Sequence, residues 1–454
     1  MSTVLFPGFA FAAEVELSQD NPGPRYRFPP PVVVALPPGG ADIDAPTAPP
    51  QPALGVDLGD VLGAMQPLVH SDASPPEPVA DRSGDAAAVV AYPSMDVSRS
   101  YDDNVYAAHS KQIGDWTTVV SPTLDFTTDW QRHGLNLDAG AAIGRSDRQT
   151  LNDYEDFHVT AAGLYDLSDA LASALSLTQS RDHEPRGDPN DPGTAAHLTT
   201  YDTSTVKFDL GYEGDWLTVR PAIQYQHITY ANPDIATIGQ RNRDEYLATA
   251  RIQAELTQDL GLLFEPLVVR HSYLGEAAPG QPGRDGTTAQ GTIGLAWSPS
   301  ELTYAELGVG YQRESFDDPS VKTVSTPTFS LALRWSPFET ISIIALAGRS
   351  LQEAAFVGVS TIVETQTGVT FAYVPDDDWS FSTNYLRNES EYQSTTGIGP
   401  NRIDVSQTVG VTAIYHLNEH FDFSLGFINT RRTSPIVIDN YGDNRYMLQV
   451  STKW

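Results

Sequence analysis

The sequence predicts an all-β fold: a transmembrane, antiparallel, up-and-down barrel of about 18 strands behind a Pro-rich periplasmic segment expected to be disordered. Three observations carry that expectation. Residues 88–454 are a succession of alternating apolar and polar positions with no helical period. Very short polar turns alternate with longer connections along that stretch, and its last nine residues form an amphipathic run ending on Trp454.

The alternation is clear in three runs. Val206, Phe208, Leu210 and Tyr212 stand against Thr205, Lys207, Asp209 and Gly211; Leu217, Val219, Pro221, Ile223 and Tyr225 stand against Thr218, Arg220, Ala222 and Gln224. Phe421, Phe423, Leu425 and Phe427 stand against Asp422, Ser424 and Gly426. Strand side chains repeat every two residues, so each run has one apolar and one polar face. The polar members are too polar for a sandwich core, and the apolar ones too large and continuous to face water over so many strands. The sequence has no run of about 18 apolar residues, which excludes helical spanning.

Short turns are expected at 131–133, 168–169, 214–215, 257–259, 298–300, 336–337, 375–378 and 418–419, with longer Gly-, Asn-, Asp- and Pro-rich connections such as 182–200, 231–243, 275–286 and 392–402 between them. Strands then start near 92, 116, 134, 154, 170, 201, 216, 244, 262, 287, 302, 324, 340, 362, 379, 403, 420 and 445. Short periplasmic turns and long external loops are the habit of outer-membrane barrels, and an even strand count leaves both ends of the barrel on the periplasmic side. Trp130, Tyr165, Trp216, Trp297, Trp335, Trp379 and Tyr415 sit beside short turns, where an interfacial aromatic girdle belongs. In the closing run Tyr446, Leu448, Val450, Thr452 and Trp454 share one face, which is read as a barrel assembly signal.

Upstream, residues 1–12 end in Ala10-Phe11-Ala12, a small-x-small cleavage pattern, but lack a basic n-region; they are expected to be a truncated signal peptide whose true start lies farther upstream. Residues 13–87, with Pro29-Pro30-Pro31, Pro37-Pro38 and Pro49-Pro50, read as an acidic Pro/Ala-rich periplasmic linker. The barrel domain is expected over 88–454.

With 58 acidic against 27 basic residues and a net charge of −31, the chain has no basic stripe for phosphates, so nucleic acid is not expected as a partner. There is no Cys, hence no disulfide or thiolate chemistry. The ten His are scattered without catalytic or zinc spacing; His109, His183 and His197 are expected in external loops, His133 and His420 beside short turns. The Asp182-His183-Glu184 and Asp188–Asp191 stretches lack the spacing of a calcium loop. No catalytic residue, cofactor or metal is expected.

If the apolar face meets lipid, the polar face lines the interior. That places Asp125, Asp138, Asp209, Glu255, Glu364, Asp404 and Asp422, with Asp129, Glu245, Glu265 and Glu306, against Arg220, Arg251 and Arg334, with Lys207 and Lys453. Acidic groups outnumber basic ones, so a pore with this wall is expected to prefer cations.

The segments Tyr92-Pro93-Ser94-Met95-Asp96-Val97, Tyr101-Asp102-Asp103-Asn104-Val105-Tyr106 and Val120-Ser121-Pro122-Thr123-Leu124 resemble the start of the putative beta-barrel porin family of proteobacteria, second of the type. The resemblance covers residues 88–454 and implies a Gram-negative outer-membrane barrel without catalytic residues. It implies a passive conduit, ranked first as one for surface polysaccharide export. A general or cation-preferring diffusion porin is the alternative, and a non-transporting structural or adhesion barrel the alternative of another class. The partners expected are outer-membrane lipid, the barrel assembly machinery and a periplasmic polysaccharide export protein.

Overall fold

A computed structural model describes residues 89–128, 133–191, 195–275, 282–300, 302–356, 358–395 and 402–454. The expected signal peptide and linker, with Asp129 and Trp130, lie outside the described residues. Eighteen strands follow one another: β1 Val89–Asp102, β2 Asp115–Thr128, β3 His133–Ser146, β4 Tyr154–Ser168, β5 Leu171–Glu184, β6 Thr199–Glu213, β7 Leu217–Ala231, β8 Arg243–Thr257 and β9 Leu260–Tyr273. The second half is β10 Gly286–Ser300, β11 Thr303–Phe316, β12 Val324–Phe338, β13 Ile341–Glu353, β14 Val359–Asp376, β15 Trp379–Ser394, β16 Arg402–Asn418, β17 Phe421–Thr433 and β18 Tyr441–Lys453.

Every strand pairs antiparallel with its neighbours in sequence, and β18 pairs with β1 from Ser94↔Lys453 to Asp102↔Arg445, so the sheet closes on itself without an edge. The Trp454 N–H donates to the Pro93 carbonyl at 3.1 Å and fastens the seam. Connections of two to four residues lie at one end of the barrel and connections of five to fourteen at the other.

Side-chain period two makes the wall two-faced. Large apolar residues such as Leu262, Phe264, Val268, Ile293, Leu307, Val309 and Leu425 are exposed outside, while Asp138, Gln224, Arg251, Glu306, Gln312 and Asp422 are buried on the other face. A continuous apolar exterior of this extent suits hydrocarbon rather than water. On β9 the outward residues from Leu260 to Val268 precede Arg270; about nine residues at about 3.3 Å, tilted by about 40°, span roughly 23 Å, close to the apolar band of a transmembrane barrel. Tyr165, Trp216, Trp297, Trp335 and Trp379 are exposed at the short-turn end, as the sequence reading expects. A second girdle that it did not single out, with Trp116, Phe157, Tyr246 and Tyr311, rims the long-loop end of the band.

One seam departs from regularity. β11 pairs with β12 as far as Glu314↔Val324, and β13 with β14 as far as Glu353↔Thr361, but β12 pairs with β13 only from Ser330↔Gly348 downward. Continuing that register by three residues would set Pro327 opposite Leu351, and Pro has no N–H to give a ladder. Leu351 instead donates its N–H to Gln312 Oε1 at 3.1 Å, one strand farther on. Above this point the β13–β14 tip has parted from β12, while β14 stays paired with β15 as far as Val359↔Ser394, and the tip leans into the barrel.

Candidate functional site: the barrel interior

The tip turns its nominal outer face inward. Leu351 and Val363 continue the parity of the outward Ile343 and Val369, yet both are buried against Leu247, Leu267 and Val269, which face inward from β8 and β9. Burial of these apolar groups supplies the tip's attachment to the β8–β9 wall, each contributing on the order of 1.5–3 kcal/mol.

A charge network pins its end. Glu353 is 3.2 Å from Arg241, 3.4 Å from Arg243 and 3.6 Å from Arg284. Arg241 also holds Glu184 at 2.6 Å, and Arg243 holds Glu245 at 2.6 Å, with His271 at 3.2 Å from the same carboxylate. The Tyr230 ring lies under Arg241, 4.0 Å from the guanidinium carbon. Desolvated charges in such numbers are tolerable only because each has an opposite partner.

The connection between β5 and β6 fills the space on the tip's other side. Asn190 donates to the Glu353 carbonyl at 3.3 Å and accepts from the Ala355 N–H at 2.8 Å. Tyr392 Oη donates to the Pro189 carbonyl at 3.0 Å, and Arg432 donates to the Gly187 carbonyl at 2.9 Å and to Asp404 at 2.6 Å. Gly187 has φ +80°, and a Cβ there would overlap the Tyr441 ring. Asp188 is completely buried; burial first, then the neighbouring Glu184 carboxylate, push its carboxyl up to about 8. Wall, tip, loop and opposite wall are thus stacked across the long-loop half. A cavity of about 300 Å³, lined among others by Asn190, Ile238, Arg241, Tyr273, Arg284 and Phe356, opens beside the stack.

The short-turn half keeps a polar lining. Arg251 binds Glu265 at 2.6 Å and Glu306 at 2.8 Å; Arg220 binds Glu213 at 2.7 Å; Lys207 binds Asp209 at 3.0 Å. Asp125 lies opposite Asp138 in register, and Asp138 contacts His158 at 2.8 Å. Glu255 is exposed near a turn and Arg334 is half-buried, whereas Glu364, which accepts from Gln366 at 3.2 Å, sits opposite Ser350 on the β13–β14 tip in the long-loop half. The residues read from the sequence as an acidic interior therefore share the inner face, but most are held in ion pairs rather than standing free.

The interior also joins groups that the sequence leaves far apart. Ser380 Oγ is 2.9 Å from His416 Nε2, His416 Nδ1 is 2.7 Å from Asp422, and Lys453 is 3.6 Å from the same carboxylate. The order Ser-His-Asp is that of a nucleophile, base and orienting acid. β15 is paired on both sides here, so its N–H groups serve the ladder instead of an oxyanion. The chain of contacts ties β15, β16, β17 and the closing strand together. His183, expected in a loop, is the next-to-last residue of β5 and lies 2.8 Å from Asp156.

The family profile described as putative beta-barrel porin 2 matches residues 75–454. Among curated proteins none matches the chain. Solved structures similar to it include OccK3 (OpdO) of Pseudomonas aeruginosa, with 13% identity, TM-score 0.44 and coverage of 80% of this chain and 95% of that one. A mutant ferric enterobactin receptor, PfeA, of Pseudomonas aeruginosa has 8% identity, TM-score 0.45 and coverage of 82% and 81%. The siderophore receptor PirA of Acinetobacter baumannii has 8% identity, TM-score 0.42 and coverage of 82% and 81%.

Proposed function

This chain belongs to the putative beta-barrel porin 2 family, and from that premise we propose that it is a passive, cation-preferring channel for small solutes in the Gram-negative outer membrane. The observation that carries the reading is the two-faced wall: an exposed apolar band outside and a polar, acid-rich lining inside a closed sheet. The lining named from the sequence, from Asp125 to Asp422, is the path. The β13–β14 tip and the 185–191 loop narrow it at the long-loop end, which favours ions and small polar solutes over polymers.

Export of surface polysaccharide becomes the second reading, because a polymer passes only with both inserts displaced. Liposome swelling separates the two. Full chain in liposomes should admit a monosaccharide and exclude oligosaccharides of several units, and a deletion strain should keep its surface polysaccharide. Loss of that polysaccharide with unchanged small-solute uptake would reverse the ranking.

A further inference from the structure

A belt of basic side chains circles the outside of the barrel at its long-loop end, one on every odd-numbered strand. On one half these are Arg99 on β1, Arg145 on β3, Arg181 on β5, His227 on β7 and Arg270 on β9. On the other half they are Arg313 on β11, Arg387 on β15 and Arg431 on β17, with Arg349 on β13 at the base of the inward tip, where it also donates to the buried Thr326 at 3.1 Å. Each falls within the last eight residues of its strand, just beyond the apolar band. The outward positions of the even-numbered strands hold no Lys, Arg or His among the described residues, and neither does the outward face beside the short-turn girdle, His133 apart.

The two halves differ in what stands beside these basic side chains. On the first half each meets an acid: Arg99 with Asp147 at 2.5 Å, Arg181 with Asp202 at 2.7 Å, His227 with Asp244 at 2.7 Å and Arg270 with Asp317 at 2.5 Å, and Arg145 with Glu155. On the second half, the cross-strand neighbours of Arg313 and Arg431 are neutral, Ser325 and Gln407. Both guanidiniums are exposed, and among the described residues neither has a hydrogen-bond or ion-pair partner. Arg349 and Arg387 reach Glu391 and Glu389 at 3.4 and 2.6 Å. The β11–β17 sector therefore carries a net positive belt on a protein whose overall charge is −31.

We propose that this belt binds the phosphate groups of lipid headgroups in the leaflet on the long-loop side. The proposal rests on reading the apolar band as the membrane-embedded surface. A guanidinium at the edge of hydrocarbon finds few acceptors other than headgroup oxygens, and its planar fork matches a phosphate in two parallel hydrogen bonds. Arg313 stands two residues beyond the exposed Tyr311, so acyl chains can lie along the ring while the phosphate meets the cation. The paired half of the belt holds its position by its own carboxylates and presents alternating charge. The open half offers unshared donors, so the strongest attachment belongs to β11 and β17.

The test uses the full chain folded in dodecyl maltoside and titrated with diphosphorylated lipid A, or with the same lipid stripped of both phosphates, counting bound lipid by native mass spectrometry. The phosphorylated lipid should bind about tenfold more tightly. In the double variant Arg313→Gln, Arg431→Gln that preference should fall to about threefold or less, while the double variant Arg148→Gln, Lys322→Gln, which removes two positive charges from loops, should keep it. Equal binding of the two lipids to the unaltered protein, or an unchanged preference in the double variant, overturns the proposal alone. A chain that stays soluble without detergent and takes up neither lipid overturns the membrane reading beneath it.

Discussion

Glu353, the last residue of β13, lies 3.2 Å from Arg241 in the connection between β7 and β8, and both side chains are almost completely buried. Their strands lie on well-separated parts of the wall, so the contact exists only because the β13–β14 tip has folded into the interior. Removing one member of such a buried cluster leaves an uncompensated charge, at a cost of about 3–5 kcal/mol. Glu353→Gln should therefore release the tip, raising hydrogen exchange across 349–365 and increasing the conductance step in planar bilayers. Unchanged exchange and step size would mean that apolar packing of Leu351 and Val363 alone holds the tip.

Gly187 occupies a left-handed backbone conformation that a non-Gly residue enters at a cost of roughly 1–2 kcal/mol, and its Cβ position is filled by the Tyr441 ring. Gly187→Ala should loosen the 185–191 loop, seen as faster proteolysis within it and a larger conductance. Adding Tyr441→Ala should recover part of the loss by making room, leaving the backbone penalty. Full recovery would show that the positive φ costs nothing here.

The Asp188 carboxyl, raised to about 8, gives the loop a pH dependence with a definite sign. The folded protein binds this proton more tightly than the unfolded chain does, so the contribution to loop docking is complete below the ordinary carboxylate range, about 4, and is lost as pH rises through about 8. Conductance should grow between about pH 4 and about pH 8 as the loop undocks and level off above that, and Asp188→Asn should remain narrow across that range. A conductance that falls with alkalinity would contradict this.

Trp454 closes the ring through its N–H to Pro93 and exposes its indole at the short-turn rim. Deleting it should reduce the amount of folded, heat-modifiable barrel while translocation into the periplasm continues, since the closing strand loses both a ladder bond and an interfacial anchor. Equal yields of folded barrel from mutant and parent would remove Trp454 from the proposed assembly signal.

Much of this architecture is legible in the sequence because period two and turn chemistry are local. Expected strand starts at 92, 362 and 445 lie within four residues of Val89, Val359 and Tyr441, and the remaining starts are closer still. The inward tip was not legible, since Leu351 and Val363 obey the outer-face parity and only tertiary packing reverses their surroundings. Its one signal is Pro327, a residue without an N–H inside a strand pattern, which marks a ladder that cannot continue. Ser380, His416 and Asp422 meet through the register of three strands, a quantity that alternation alone leaves open by two-residue steps. The outer arginine belt follows from parity once strand boundaries are known.

The most direct test of the channel reading is reversal potential across a KCl gradient with the full chain in a planar bilayer. Discrete conductance steps with a potential displaced toward cation selectivity are expected, and the displacement should shrink when Asp125, Asp209, Glu255 and Asp404 are changed to Asn or Gln. Absence of steps from folded, inserted protein, or a displacement toward anions, would contradict a cation-preferring path through this interior.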